Sequence, residues 1–192
     1  MEIDELLHRC RVALGKADLP ARADSNLSFL ADAPVGGERI MLDTCVILDQ
    51  LQGKLPRDIE ERIRARAIYH SPVVLGELAF LFGQLDPNDP RTLDATREVR
   101  SLLASIGTHR IFDLTHEDTM RGMVLAGCMA RILGYNKEDR RKAQNDAILA
   151  AQASRLGCLV VTRNVGDFDR LGQLDDRLKV AFYRRGYPAV AD

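Results

Sequence analysis

Four consecutive apolar residues, Cys158-Leu159-Val160-Val161, stand between Gly157 and the polar run Thr162-Arg163-Asn164. So short a run, unbroken by polar residues, describes a strand covered on both faces, and such strands belong to parallel sheets flanked by helices. The residues before it divide at helical spacing, Ile148 and Ala151 against Gln152 and Arg155, and Gly157 closes that helix. Asn145 and Asp146 stand where the helix is expected to begin. Ligands of open α/β sheets bind beyond the carboxyl ends of the strands, so polar residues on both sides of this unit can face one cleft.

The rest of the chain alternates in the same way. Residues 40–42 are apolar and run into Asp43, and a helix follows over 44–48. Pro56 opens a charged helix over 57–67, residues 68–70 make a second strand, and Ser71-Pro72 starts a helix over 72–81 in which Glu77 is the only charge. An amphipathic helix over 91–105 precedes a third strand at 110–114. Thr115 and Asp118 form a capping box for a helix that Gly134 stops. Residues 136–144, NKEDRRKAQ, read as a charged loop, a short helix follows Asp167, and residues 180–183 give a last strand. The expected fold is α/β, a three-layer α/β/α sandwich with a mostly parallel central sheet. Ahead of it, an amphipathic helix over 3–14 and a Pro- and Gly-bearing linker make an N-terminal extension, residues 1–38, before a main domain over 39–192.

The chain of 192 residues is long enough for one such domain. Its net charge of −1 provides no global basic field for a polyanion, although 22 of its 27 basic residues are arginine, the side chain whose planar fork suits phosphate. Codon usage explains the same bias. Cys10, Cys45, Cys128 and Cys158 lack the close pairing of zinc sites and read as small core residues, and the four histidines share no ligand spacing. No apolar run approaches the roughly 20 residues of a membrane span, and the acidic amino terminus is unlike a secretory signal. A cytoplasmic protein is expected.

Four acids occupy positions the fold does not demand: Asp43 after the first strand, Glu77 within an apolar helix, Asp146 at a helix start, and Asp167 after the Thr162-Arg163-Asn164 turn. Gathered at one sheet edge, they would repel one another unless a hard divalent ion held by oxygen ligands, magnesium or manganese, compensated them. Each has a structural alternative. Asp43, Asp146 and Asp167 could cap helices, Glu77 could pair with an arginine, and Asn145 and Asn164 could serve turns. Arg163 and the Arg140–Lys142 cluster could contact phosphates, or be solvated.

The blocks MLDTCVILD, SPVVLGELAF, NDAILAAQA and VVTRNVGDF together resemble the PIN-domain family of metal-dependent ribonucleases, and within it the VapC-like toxins of toxin-antitoxin pairs. The resemblance covers roughly residues 40–183 and implies a carboxylate pocket binding magnesium or manganese, with Asp43, Glu77 and Asp146 matching the three core acids. Some members carry an acid where this chain has Asn164, so the fourth carboxylate is either Asp167 or missing, and the number of metals stays open. Thr162 matches a hydroxyl that orders the pocket, and Thr44 sits beside the first acid. The implied activity is endoribonucleolytic, with Arg163 on the RNA substrate, a small antitoxin as partner, and a homodimer. The alternative is a PIN-fold interaction module with a degenerate pocket. A phosphatase is disfavoured, because Asp43-Thr44-Cys45 lacks a second acid two residues on. The long N-terminal extension is foreign to these toxins.

Overall fold

The computed structural model describes residues 19–185 and, ahead of them, residues 4, 5 and 8. The helix expected over 3–14 lies largely outside the described residues. Strands β1 (Ile40–Leu42), β2 (Ile68–Tyr69), β3 (Leu159–Thr162) and β4 (Lys179–Phe182) form one sheet in the order β2-β1-β3-β4, every pair parallel. The helices that connect and follow them are α1 (Thr44–Leu51), α2 (Arg57–Arg64), α3 (Pro72–Gly83), α4 (Thr92–Ser105), α5 (His116–Ile132), α6 (Lys137–Leu156) and α7 (Val165–Leu174).

All three residues of β1 are buried, as are Val160, Val161 and Thr162 of β3. Neighbouring strand residues point to opposite faces, so both faces of the sheet are covered and the three-layer α/β arrangement follows. From β1 the chain moves outward to β2, and from β3 it moves the other way to β4. The order therefore reverses between β1 and β3, and a cleft opens beyond the carboxyl ends of those two strands. The backbone N–H of Asp43 donates to the Val161 carbonyl at 3.1 Å, locking the ends of β1 and β3 side by side.

Three elements differ from the sequence reading. Helix α6 begins with Asn136 as its cap, whose side chain accepts from the N–H groups of Glu138 and Asp139, so residues 137–144 are helical and Asn145 and Asp146 lie inside the helix. Lys, Glu, Arg, Ala and Gln are good helix formers, and here that propensity outweighs the loop-like charge density. The expected third strand contributes only one bridge, Ile111 beside His70, because a 3-10 turn over Thr108–Arg110 occupies its start. Helix α7 begins before Asp167, at Val165.

Helices α5 and α6 approach closely at Gly122, where a Cβ would lie 2.6 Å from the Ile148 Cα. Arg155 Nε reaches both oxygens of Asp118, at 2.8 and 3.0 Å, tying the end of α6 to the capping box of α5. Gly157, at φ 65°, ends α6 in the left-handed conformation and turns the chain into β3.

The linker ahead of β1 lies along the free edge of β4. Phe29 bridges Phe182 in parallel, the Phe182 N–H donates to the Ser28 carbonyl at 2.8 Å, and the two rings meet edge-on at 6.4 Å. Leu19 and Leu30 are buried, and the Arg22 N–H donates to buried Asp169 on α7 at 2.8 Å. An exposed edge strand invites pairing with another chain, and this segment covers it. Among the described residues no helix is long and apolar enough to cross a membrane.

Candidate metal centre

The four acids come from four elements. Asp43 follows β1, Glu77 is on α3, Asp146 is on α6, and Asp167 is in the first turn of α7. Asp43 occupies the N-cap position of α1 but makes no capping bond. Its Oδ2 instead accepts from the Thr162 hydroxyl at 2.6 Å and from the Cys45 thiol at 2.9 Å. Thr162 is wholly buried at the end of β3, and its own Oγ1 accepts the Asn164 N–H at 2.9 Å, so the strand end and the first acid form one unit.

Glu77 is held at both oxygens. Asn145 Nδ2 donates to Oε1 at 2.7 Å and the Thr44 hydroxyl to Oε2. Thr44 thus serves Glu77 rather than its sequence neighbour Asp43, and Asn145 is a partner in the pocket rather than a helix cap. Asp146, one residue further along α6, accepts from Asn164 Nδ2 at 3.0 Å. The same nitrogen donates to Asp167 Oδ2 at 2.9 Å, and Asp167 Oδ1 accepts the Tyr135 hydroxyl at 2.6 Å.

Burial, and after it the negative charges of Asp43, Asp167 and Glu77, push the Asp146 carboxyl well above its ordinary 3.8. The four acids are therefore close enough to repel, and the cost falls on Asp146. Among the described residues no lysine or arginine is a hydrogen-bond partner of Asp43, Glu77, Asp146 or Asp167. An oxygen-only set of uncompensated carboxylates suits a hard divalent cation. Among the described residues no group of three or more acidic, histidine or cysteine side chains is placed to hold a metal ion; the four acids are instead tied to neutral donors.

A family profile described as the PIN domain matches residues 40–174. The chain belongs to the PIN domain family. No curated protein matches it. Solved structures that share the PIN fold include the DNA-bound VapBC of Salmonella typhimurium, with TM-score 0.55 and 19% identity over 76% of this chain and 98% of that one. The VapBC2 of Rickettsia felis bound to a promoter fragment gives 0.54 and 17% over 76% and 99%. FitAcB of Neisseria gonorrhoeae gives 0.54 and 20% over 76% and 96%. At such identities the likeness is one of fold. The matched region begins at β1, so the edge-covering segment lies outside the match.

Arg163, expected to meet substrate, makes an ion pair with fully buried Asp49 through Nε at 3.1 Å, with 40% of its side chain exposed. Asp49 also accepts from the Tyr183 hydroxyl at 2.9 Å and from Arg185 Nε at 3.0 Å. Burial pushes the Asp49 carboxyl up, but the hydrogen bonds of Arg185 and Tyr183 and the charges of both arginines outweigh it and hold the group below its usual value. Asp49 carries the same signal as Glu77, a lone acid in an apolar helix, and the sequence reading passed over it. Cys45 is half-buried beside Asp43, not simply core, and burial followed by the Asp43 charge pushes its thiol up to about 12. Tyr135, just after the Gly134 helix stop, carried no sequence signal.

Beside Glu77 opens a groove of about 780 Å³ lined by Thr44, Phe80, Leu81, Glu138, Arg141 and Asn145, among others. Phe80 is half exposed, with the Arg141 guanidinium 5.0 Å from its ring centre.

Proposed function

We propose that the protein is a divalent-metal-dependent endoribonuclease and the toxin of a toxin-antitoxin pair. The observation that carries this reading is the convergence of Asp43, Glu77, Asp146 and Asp167 on one pocket at the reversal of strand order, with Asp146 driven toward its neutral form by burial and by the other three charges. Such a pocket is costly without a cation, and neither Asp43 nor Asp146 caps a helix.

A bound magnesium or manganese ion supplies water activation and charge neutralisation at a scissile phosphate. Asp43 and Asp146 would hold it. Thr162 and Cys45 orient Asp43 by occupying Oδ2. Glu77, clamped by Asn145 and Thr44, would add a further carboxylate beside the ion. The exposed part of Arg163 lies beside the Thr162-Asn164 turn and meets the RNA phosphates, while its Nε keeps Asp49.

The partner is a small antitoxin, in keeping with the VapBC and FitAcB assemblies that share the fold. The groove beside Glu77, with Phe80 and Leu81 as its apolar floor, is the surface on which it would block the pocket. The toxin acts as a homodimer.

A second reading, an interaction module with a degenerate pocket, is favoured by one observation: the carboxylates already have neutral donors, and among the described residues no group of three or more acidic, histidine or cysteine side chains is placed to hold a metal ion. Calorimetric titration with manganese separates the two. Binding that is lost in Asp146→Asn supports the nuclease; no binding at millimolar manganese supports the module.

A further inference from the structure

We propose that Asn164 and Tyr135 stand in place of a second cation, so that this pocket takes a single divalent ion; the inference rests on the metal-dependent reading above. Asn164 Nδ2 lies 3.0 Å from Asp146 Oδ2 and 2.9 Å from Asp167 Oδ2. One amide nitrogen therefore sits between two carboxylates and gives a hydrogen to each. Its orientation is fixed from the other end, where Asn164 Oδ1 accepts the Asp167 N–H at 3.3 Å. The remaining oxygen of Asp167 accepts the Tyr135 hydroxyl at 2.6 Å. Both Asp167 oxygens and one Asp146 oxygen are thus satisfied by neutral groups.

Paired ions in phosphodiester hydrolysis lie about 3.5–4 Å apart and clamp the attacking and leaving oxygens. An ion joining Asp146 to Asp167 would need their oxygens at about 2.0–2.1 Å if magnesium, on the spot where the amide nitrogen stands. Asn164 is neutral, so unlike a carboxylate at that position it offers a second ion no anionic ligand. On the other side, the hydrogen bonds of Asp43 both fall on Oδ2 and that of Asp146 falls on its Oδ2. Among the described residues these bonds leave Oδ1 of each acid as the oxygen that could meet a single ion.

The test is equilibrium dialysis of the full chain against manganese, with metal content measured per chain and electron paramagnetic resonance reporting whether ions are spin-coupled. The wild type is expected to hold one uncoupled ion. Asn164→Asp keeps an acceptor for the Asp167 N–H at the start of α7, removes the bridging donor and adds a carboxylate; it is expected to hold two ions with a coupled spectrum. Two ions in the wild type, or a folded Asn164→Asp protein that still holds one, overturns the inference and leaves the nuclease reading intact. No manganese in either protein removes the metal-dependent reading and this inference with it. The wild-type count decides alone if the variant does not fold.

Discussion

Thr162 Oγ1 donates to Asp43 Oδ2 across 2.6 Å, joining the ends of the two central strands through a wholly buried hydroxyl. The link fixes one oxygen of the first acid and thereby the direction of the other. Residues that orient a ligand commonly change metal affinity by about 10- to 100-fold when replaced. Thr162→Val keeps the shape and loses the donor, so manganese affinity measured by calorimetry should fall within that range, and Thr162→Ser should restore most of it. Unchanged affinity in Thr162→Val would remove the hydroxyl from the site.

Asp146 contributes to the pH dependence of the metal-free protein. Its carboxyl is raised above 3.8 in the folded chain, first by burial and then by Asp43, Asp167 and Glu77. Over the range between 3.8 and the raised value the folded state holds a proton that the unfolded state has released, so stability falls as pH rises through it. Thermal melts in chelator over a pH series rising from 3.8 should show a shallower decline for Asp146→Asn than for wild type. Equal slopes would contradict the repulsion on which the metal reading depends.

Asp49 has the opposite sign. Its folded carboxyl lies below 3.8, so its contribution is present above that value and is lost as pH falls below it. Asp49→Asn weakens contacts from Tyr183, Arg185 and Arg163 and should lower unfolding stability at neutral pH by about 2 kcal/mol, the scale of disturbing a buried hydrogen-bonded group. Both arginines are about two-fifths exposed and can turn to water, which limits the loss. Urea unfolding measures it; a midpoint equal to wild type would show that the cluster is ornamental.

Arg163→Ala tests whether that residue also meets RNA. Each phosphate contact removed should reduce the salt slope of binding by about one, alongside a small loss of stability through Asp49. Affinity that stays equal to wild type across salt concentrations would confine Arg163 to Asp49.

The sheet and the acids were legible because the physics that specifies them is local: an apolar triplet such as Ile40-Met41-Leu42 has few other uses, and Glu77 is conspicuous among Val, Leu and Phe. The start of α6 was hidden because a helix whose first two turns face water carries no apolar stripe there; the first buried residue of α6 is Ala143. That misplacement made Asp146 look like a cap. The partners of the acids were hidden for a different reason. Tyr135 to Asp167 and Asn145 to Glu77 are contacts across 32 and 68 residues, and nothing within either segment announces the other. The linker's place beside β4 was equally non-local, since Phe29 pairs with Phe182 as a single bridge rather than a strand.

The most direct test of a metal-dependent ribonuclease is cleavage of a single-stranded RNA by wild type and Asp146→Asn, each with manganese and with excess chelator. Wild type should cut only with metal, and Asp146→Asn should be reduced to background while melting cooperatively. Cleavage that survives the chelator, or an Asp146→Asn protein cutting at the wild-type rate, would contradict the account.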